Sequence, residues 1–441
     1  MEQRRKNLTQ LFIPICLETL LYMLSGMVDT LMLSSVNDQA VGAVGTANTY
    51  IGIFIIMFSV ISSGMVAVMT QNIGAGRPGV AYQARQLGLA FNAVLGIIMS
   101  LFLSLGAGTI LSGVGVADAL MQPAKTYLQI VGGFCILNAL IPICSSYLRA
   151  FGFSKEPLYA SIIGNVINFC LNAFFLFVLH KGVAGVATAT WISRIINLVI
   201  VVLLGAVLVK AKQHPERESN RAVMGQIIRI GLPSACETAI YNVSMTLVIR
   251  FLNQMDAQGL NVTARSYTMQ ITNFSYCVGA ALAQANAIMT GWHIGAKEYD
   301  ACDRGTRKAA IIGVIVAVIL ETMFALCSGW IMQLFSKDPQ MVSLVGKLLA
   351  IDIVLEMGRV TNLVYGQALK PSGDAVFPVV MGACFMILCS VGGTYLFGIR
   401  LGLLAVGAYI GMAGDECVRA VGMYLRWKSG KWKEKGLVKS R

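Results

Sequence analysis

The stretch Pro14-Ile-Cys-Leu-Glu18, running on to Ser25-Gly-Met-Val-Asp29, decides the fold class of this chain. It lies in a long apolar segment and carries two acids where the neighbouring residues are almost all hydrocarbon. In an α-helix the 11 positions from Glu18 to Asp29 amount to about three turns, so both carboxyl groups lie on one face. A charge near the middle of a bilayer costs on the order of 2.5–3.5 kcal/mol. We therefore expect this face to point toward protein, water or a ligand, and we interpret it as an ion or substrate site.

The composition of the whole chain places this segment in a membrane. Of 441 residues, 56% are hydrophobic and only 12% are charged, and the mean hydropathy is +0.70. A soluble chain of this length would need more polar residues to cover its surface. The long apolar runs predict a polytopic helical membrane protein, and they exclude a transmembrane β-barrel, whose strands are short and alternating.

Apolar segments separated by polar or Gly/Pro turns predict the domain organisation. The predicted fold class is an all-α membrane protein with about 12 transmembrane helices in two six-helix lobes. The predicted spans are 8–33, 43–71, 86–112, 124–148, 157–179, 183–209, 226–252, 263–291, 307–333, 341–369, 376–397 and 402–426. The predicted domains are an amino-terminal lobe (1–209), a cytoplasmic linker (210–225), a carboxy-terminal lobe (226–427) and a basic cytoplasmic tail (428–441).

The placement of positive charge argues against nucleic acid as the partner, despite a net charge of +13. Most of the 34 Lys and Arg residues fall in alternate loops on the side of both termini. The positive-inside rule then predicts a multi-pass protein of the plasma (inner) membrane with both termini in the cytoplasm. The basic tail, beginning Arg426-Trp-Lys-Ser-Gly-Lys-Trp-Lys433, is expected to bind anionic membrane lipid.

The two halves of the sequence repeat each other. Pro14-x3-Glu18-Thr19 recurs 219 positions later as Pro233-x3-Glu237-Thr238, and Gly152-x4-Pro157 recurs 221 positions later as Gly373-x4-Pro378. Each repeat holds an even number of predicted spans, so both halves enter the membrane from the same side. Such parallel repeats occur in several secondary transporters, and they predict a working site between the halves.

Acids inside the predicted spans are the candidate functional residues. Counting from each helix start at about 1.5 Å per residue places Glu18, Glu237 and Asp352 near the middle of the membrane, and Asp29 in the outer third of its helix. For Glu18, Glu237 and Asp29 the alternative is a protonated acid that hydrogen-bonds a neighbouring helix. A carboxyl group in a poorly solvated cavity can bind and release a proton near neutral pH. Several carboxylates together could equally hold Na⁺.

Asp352, Glu356 and Arg359 stand at i, i+4 and i+7 on one helix face. They form either a self-neutralising structural cluster or, because one negative charge is left over, a site for a cationic ligand. The sequence leaves both interpretations open.

Two further polar groups lie within the spans. Asp415, Glu416 and Arg419 lie near the cytoplasmic end of the last helix, where we predict a structural or gating role. Asn168 and Asn172 lie one turn apart on the fifth span. They serve either as ordinary interhelical hydrogen bonds or as the lining of a hydrogen-bonded cavity.

With these motifs in order, the chain resembles the multidrug and toxic compound extrusion (MATE) transporters of bacterial type over essentially its whole length. The resemblance is carried by Val28-Asp-Thr30, Gln71-Asn-Ile-Gly-Ala-Gly76 with its partner Ile294-Gly-Ala296, Leu148-Arg-Ala-Phe-Gly152 with its echo Leu369-Lys-Pro-Ser-Gly-Asp374, and Asn168-x3-Asn172 leading to Gly182-Val-Ala-Gly-Val-Ala187. It implies a V-shaped pair of six-helix lobes, alternating access, and export of organic, often cationic, compounds against entry of H⁺ or Na⁺.

The resemblance also implies roles for single residues. Asp29 matches the first-helix acid that the family uses in cation coupling, and Asn168 matches the conserved Asn of the fifth helix. Asn172 stands where some members have an Asp that partners the first-helix acid. Glu237 lies earlier in its helix than the seventh-helix Glu of other branches. The acids at 352 and 356 lie near the family's tenth-helix acid.

We therefore predict a secondary antiporter that exports a small, amphipathic, cationic molecule in exchange for H⁺ or Na⁺. The predicted ion-coupling residues are Asp29, Glu18, Asn168 and Asn172, the predicted substrate-binding residues are Glu237, Asp352 and Glu356, and the predicted structural or gating residues are Arg359, Asp415, Glu416 and Arg419. We expect the chain to act as a monomer that binds a small-molecule substrate and membrane lipid.

Other functional classes fit the sequence less well. A flippase for a lipid-linked oligosaccharide, from the same broad superfamily, would be expected to place cations rather than acids in its central cavity. A channel or a non-transporting receptor would not need an internal duplication. Neither a nucleophile–base set nor a metal-ligand cluster is evident among the three His and eleven Cys residues, so we expect no enzyme activity, no metal and no cofactor.

Overall fold

The computed structural model describes residues 6–34, 38–113, 116, 118–210, 214–256, 259–333 and 335–438. Within these ranges the chain is almost entirely helical and forms no β-strand, which confirms the all-α prediction. The α-helices are α1 (Leu8–Ser34), α2 (Asp38–Gly74), α3 (Pro78–Gly113), α4 (Asp118–Gly133), α5 (Ile136–Ala150), α6 (Lys155–Ala173), α7 (Gly182–Leu208), α8 (Asn220–Met255), α9 (Leu260–Gly295), α10 (Tyr299–Leu326), α11 (Ser328–Met332), α12 (Pro339–Leu369), α13 (Val376–Phe385) and α14 (Leu404–Lys428). The helices α6 and α13 continue as π-helical turns, over Phe174–Val178 after α6 and over Met386–Val391 and Thr394–Arg400 after α13.

Apolarity separates these helices into two groups. In the described part of the chain, seven helices are long and apolar enough to cross a membrane, and the bent pair α4–α5 makes eight if it forms one span. The helices α8, α9, α12 and α14 coincide with predicted spans and are long enough, but they carry more polar and charged residues. The predicted count of twelve therefore exceeds the number that apolarity alone identifies.

The chain divides into two compact units, the amino unit Met1–Gly231 and the carboxy unit Leu232–Arg441. The division falls within α8, whose first turns belong to the amino unit and pack on α2. A β-carbon at Gly64 or Gly231 would collide with the facing backbone, so the close approach of these helices requires glycine. The predicted bounds of the lobes, the linker and the tail stay predictions.

Each unit has its own apolar core. In the amino unit the core is built around Phe58, Leu103 and Leu128, and in the carboxy unit around Leu252 and Leu348. Because each core is made of side chains from its own unit, burial of apolar surface stabilises each unit separately.

The internal repeat appears in the structure as two matching turns, one after α5 and one after α12. After α5 the amide of Phe153 donates to the carbonyl of Leu148 at 2.9 Å, and after α12 the amide of Asp374 donates to Leu369 at 3.0 Å. The residue before each donor is a glycine with positive φ, 85° at position 152 and 90° at position 373. Such a left-handed glycine closes the end of a helix and satisfies its last carbonyl groups. The sequence motif that repeats at this point thus encodes the same turn twice.

The tail after α14 folds back onto the carboxy unit. Trp432 stacks on Trp427 with ring centroids 4.2 Å apart, and its indole N–H donates to the Trp427 carbonyl at 2.8 Å. Asp374 accepts from Arg426 at 2.7 Å and from Lys435 at 2.6 Å. Trp432 is fully buried as a result, so this part of the tail belongs to the unit's fold. Lipid binding by the tail's exposed lysines stays a prediction.

Candidate functional site

A row of polar contacts joins α1 and α6 in the amino unit. The contacts are Ser161 Oγ to Glu18 Oε1 (3.4 Å), Asn165 Nδ2 to the Leu21 carbonyl (3.5 Å) and Asn172 Nδ2 to Asp29 Oδ1 (2.7 Å). The paired residues are always 143 or 144 positions apart, so the two helices run in the same direction with a fixed register. Because these α6 residues are four and seven positions apart, they lie on one face of the helix and form a polar stripe.

Asp29 lies at the end of this stripe with a ring of polar neighbours. It is partly buried, whereas its partner Asn172 is fully buried. Asn172 Nδ2 also reaches Asn168 Oδ1 at 3.3 Å, so one amide bridges the acid and the second Asn. Arg194 of α7 and Tyr127 of α4 lie close enough to interact with Asp29 electrostatically. The structure thus brings together three of the four residues that the sequence predicts for ion coupling.

Glu18, the fourth of these residues, is paired with a cation. Arg149 Nη2, at the end of α5, lies 2.5 Å from Glu18 Oε2, and both side chains are largely buried. In the carboxy unit Lys370 Nζ, just after α12, lies 3.0 Å from Glu237 Oε2. The acids are 219 positions apart and the bases 221, so the two ion pairs are copies of one another. The ion-coupling role of Glu18 and the substrate role of Glu237 stay predictions, and the structure places each acid against a base.

Sequence reasoning missed both of these bases, because it assigned Arg149 and Lys370 to cytoplasmic loops. The signal was present in the repeat itself, since Leu148-Arg and Leu369-Lys occupy matching positions. The sequence indicates that Arg194, within a span, could pair with an acid, but it does not indicate that this acid is Asp29.

A network of charges lies inside the carboxy unit and joins α12 to α14. Its members are Glu356, Arg359, Asp415, Glu416 and Arg419, and we call them the carboxy network. Arg359 pairs with Glu356 and, at 3.4 Å, with Glu416. Arg419 binds Asp415 at 2.8 Å and Glu416 at 2.9 Å. The sequence predicts two separate groups on two helices, and the structure merges them into one.

Neutral side chains complete this network. Asn362 Nδ2 donates to Glu416 Oε2 at 3.0 Å, and Ser390 Oγ donates to Asp415 Oδ2 at 2.9 Å. The Arg359 guanidinium also lies over the Tyr276 ring, 5.9 Å from its centroid. Buried charges are tolerated only when they are paired and hydrogen-bonded in this way. A structural role, as predicted for Arg359, Asp415, Glu416 and Arg419, is compatible with these contacts.

Asp352 lies one turn before Glu356 on α12, outside this set of ion pairs. It is 2% exposed, and its Oδ2 has no hydrogen-bond partner among the described residues. The predicted substrate contacts of Asp352 and Glu356 stay predictions. A surface depression of about 520 Å³ elsewhere in the carboxy unit is lined by Asn261 and Lys347 and by none of these acids.

A helical chain made of two repeated units, with acids buried inside its membrane-spanning segments, is typical of secondary transporters. The MatE family model matches the chain twice, over residues 14–174 and 233–396. The chain therefore belongs to the MatE family. The two matches begin at Pro14 and Pro233, which are 219 positions apart, the shift at which the proline motif repeats.

Curated relatives and solved structures agree with this assignment. The chain is 33% identical over 431 residues to "Uncharacterized transporter YisQ" of Bacillus subtilis, covering 96% of this chain and 94% of that protein. It is 23% identical to "Probable multidrug resistance protein NorM" of Thermotoga maritima, covering 98% of this chain and 94% of that protein. A structure described as the outward-facing conformation of a multidrug resistance MATE family transporter matches with a TM-score of 0.87 at 18% identity, covering 98% and 96% of the two chains. The chain is thus a multi-pass membrane protein of a multidrug transporter family.

Proposed function

We propose that the chain is a secondary antiporter that exports a small, amphipathic, cationic molecule in exchange for H⁺ by alternating access. The observation that carries this proposal is the polar surrounding of Asp29. An acid at this depth needs protein or water partners, and it finds Asn172, Arg194 and Tyr127. A single carboxyl group that is partly exposed can be occupied in turn by a proton and by the positive charge of a substrate.

The Asn172 amide gives this exchange a physical basis. Its Nδ2 donates to Asp29 in the structure, which suits an ionised carboxylate, and its buried Oδ1 has no hydrogen-bond partner among the described residues. When Asp29 binds a proton, the new O–H becomes a donor that needs an acceptor, while the other carboxyl oxygen can still accept. A rotation of the amide by half a turn would present Oδ1 to that O–H. The amide can therefore satisfy both charge states of Asp29.

The remaining predicted residues take supporting roles in this proposal. The Glu18–Arg149 and Glu237–Lys370 pairs hold α1 and α8 in position one turn after Pro14 and Pro233, and the carboxy network fixes α12 against α14. Contact of substrate with Glu237, Asp352 and Glu356 would require these acids to become accessible in another state of the transport cycle. The protein would act as a monomer in the plasma (inner) membrane, with both termini in the cytoplasm and anionic lipid around its basic face.

Transport in proteoliposomes tests the proposal. Purified protein is reconstituted with a cationic dye, and a pH gradient and a Na⁺ gradient are imposed in separate experiments. We expect the pH gradient to drive dye movement, and we expect Asp29→Asn to abolish it without loss of folded protein. A matched control is Asp300→Asn, the same chemical change at an exposed position in the first turn of α10.

Three outcomes would contradict the proposal. Movement driven by Na⁺ alone would replace H⁺ as the coupling ion. Full transport by Asp29→Asn would remove Asp29 from the mechanism. A response of the unaltered protein to neither gradient would overturn the assignment as an antiporter of cationic dyes.

A further inference from the structure

Arg85, near the start of α3, is a half-buried cation that takes no part in the polar contacts described above. Its guanidinium lies over the Tyr147 ring of α5, 4.6 Å from the centroid, and 6.0 Å from the centroid of the Tyr82 ring. Its side chain also hydrogen-bonds the Cys144 thiol. A ring face attracts positive charge and a thiol accepts only weakly, so these contacts give the N–H groups of Arg85 no oxygen acceptor.

Two other arginines at this end of the amino unit have acid partners. Arg77 Nη2 lies 2.7 Å from Glu218, and Arg149 is paired with Glu18, whereas Arg85 forms no ion pair in the described part of the chain. A half-buried cation loses part of its hydration, and neutral partners do not supply the missing negative charge. The surroundings of Arg85 therefore favour the binding of an anion.

Tyr147 supplies a second donor at the same place. Its side chain is 1% exposed, and its hydroxyl group has no hydrogen-bond partner among the described residues. Its ring is held by Phe151, at a centroid distance of 5.1 Å, and by α7, where a β-carbon at Gly205 would lie 3.7 Å from it. A buried hydroxyl without a partner costs free energy, so an acceptor that reaches both Tyr147 and Arg85 would satisfy both groups.

The packing of α3 against α5 brings these two donors together. Asn92 Nδ2 of α3 donates to the Ala139 carbonyl of α5 at 3.1 Å. Seven residues back from Asn92 is Arg85, and eight residues on from Ala139 is Tyr147, so the two contacts show that the helices run antiparallel. Arg85 lies on the same face of α3 as Asn92, two turns away. The two donors are thus positioned by helix packing and not by a loop.

The position of Arg85 along α3 places the donors near the membrane surface. The helix has 36 residues and is about 54 Å long, whereas the hydrocarbon core of a bilayer is about 30 Å thick. A centred helix leaves roughly 12 Å outside the core at each end, and Arg85 lies about 10 Å along the helix from Pro78. The predicted span 86–112 begins at this level, and the predicted span 124–148 ends there. This is the depth of the phosphate groups of the lipids.

We propose that Arg85 and Tyr147 bind one phosphate group, and that a phospholipid headgroup at the predicted cytoplasmic face supplies it. The planar guanidinium can donate to two phosphate oxygens at once, and the Tyr147 hydroxyl donates to another. The bound lipid links α3 to α5. It is a different lipid from the one expected at the basic tail, which folds onto the carboxy unit. Binding does not depend on the proposed antiport.

Native mass spectrometry of the full-length protein, purified and stripped of lipid in detergent, tests the site. Phosphatidylglycerol is titrated, and diacylglycerol, which has the same chains but no phosphate, is the lipid control. We expect one tightly bound phosphatidylglycerol per chain, and Arg85→Gln should weaken its binding about tenfold or more, because hydrogen bonds between charged groups are lost. Arg221→Gln, the same chemical change at an exposed position near the start of α8, should leave binding unchanged.

Tyr147→Phe separates ligand binding from packing. It keeps the ring beside Arg85 and removes only the hydroxyl group, and it should weaken phosphatidylglycerol binding about three- to tenfold. If the aromatic rings alone held Arg85, this variant would bind the lipid as tightly as the unaltered protein does. Full binding by Arg85→Gln or by Tyr147→Phe would overturn the proposal. If Arg85→Gln does not fold, Tyr147→Phe decides alone.

Inorganic phosphate distinguishes the two sources of the phosphate group. We expect phosphatidylglycerol to raise the thermal unfolding midpoint, and inorganic phosphate, compared with chloride at equal ionic strength, to leave it unchanged. The rise should be absent in Arg85→Gln. A rise with inorganic phosphate and none with phosphatidylglycerol would overturn the headgroup as the source. These measurements need no gradient, so a failure of transport in proteoliposomes would overturn the proposed function and leave this test unaffected.

Discussion

The amino and carboxy units repeat one sequence pattern, but they bury different polar groups. The amino unit carries neutral polar side chains on α6, whereas the carboxy unit carries paired charges on α12 and α14. On α6 the stripe Ser161, Asn165, Asn168 and Asn172 is neutral and faces one unpaired acid. At the positions 221 residues later the carboxy unit has Gly382, Met386, Cys389 and Gly393. A β-carbon at Gly382 would lie 3.6 Å from Glu237, so this helix pair packs at the same level in both units. The carboxy unit lacks the polar stripe at these positions but has the same packing at Gly382.

The carboxy unit carries its polar groups on other helices. Glu321, Asp352 and Glu356 correspond to Ser100, Val131 and Cys135 in the amino unit, 221 positions earlier. The amino unit therefore has no counterpart of the carboxy network on its fourth span. The charges of the network lie on α12 and α14, which are two of the four helices that apolarity alone does not identify as spans. The two units therefore share a helix arrangement but carry different buried polar groups.

Among the variants that test this difference between the units, Arg419→Met is expected to lower the stability most. It leaves Asp415 and Glu416 buried without their shared cation, which should cost about 3–5 kcal/mol of unfolding free energy. The measurement is the thermal unfolding midpoint of purified protein in detergent, together with the yield of monodisperse protein. Arg307→Met is the matched control. Its exposed pair with Asp303 should contribute less than about 1 kcal/mol. A small loss for Arg419→Met would mean that the network does not stabilise the carboxy unit.

A smaller effect is expected at the feature that both units share. Glu18→Gln and Arg149→Gln should each cost about 2 kcal/mol, because each leaves one largely buried charge unpaired. The double variant should cost less than the sum of the two. A double-mutant cycle on unfolding free energy measures the difference, and the cycle on Glu237 and Lys370 should give a coupling of similar size. Additive effects in one unit but not in the other would show that only one copy of the pair has kept its function.

The smallest effect is expected in the neutral stripe. Asn165→Leu removes one hydrogen bond to the Leu21 carbonyl and should change stability by about 0.6 kcal/mol, the average for a hydrogen bond between membrane helices. Thermal unfolding in detergent is again the measurement. A loss of stability above about 2 kcal/mol would contradict the difference drawn between the units, since the neutral stripe would then stabilise the protein as much as an ion pair.

The sequence predicts the all-helical architecture and the repeat, and the family resemblance places Asn172 where some members have a partner for the first-helix acid. Apolar periodicity and a duplicated motif are signals along the chain, and they do not depend on how the helices pack. The sequence does not predict the Glu18–Arg149 pair, because hydropathy places Arg149 in a loop, whereas α5 extends to Ala150. The pairing of Arg359 with Glu416 depends on how α12 and α14 pack, and side-chain volumes set that register rather than any pattern along one helix. The sequence therefore does not predict which buried charges pair with one another.

The buried Trp432 has a practical consequence for anyone who fuses a tag or a reporter protein to this transporter. Its ring stacks on Trp427, and Lys435, three residues further on, reaches Asp374, so the segment up to that lysine belongs to the carboxy unit. A fusion joined before position 432 would delete an aromatic anchor and leave Asp374 with Arg426 alone. A fusion joined beyond Val438 would leave those contacts in place. Purification and imaging experiments should take the second junction.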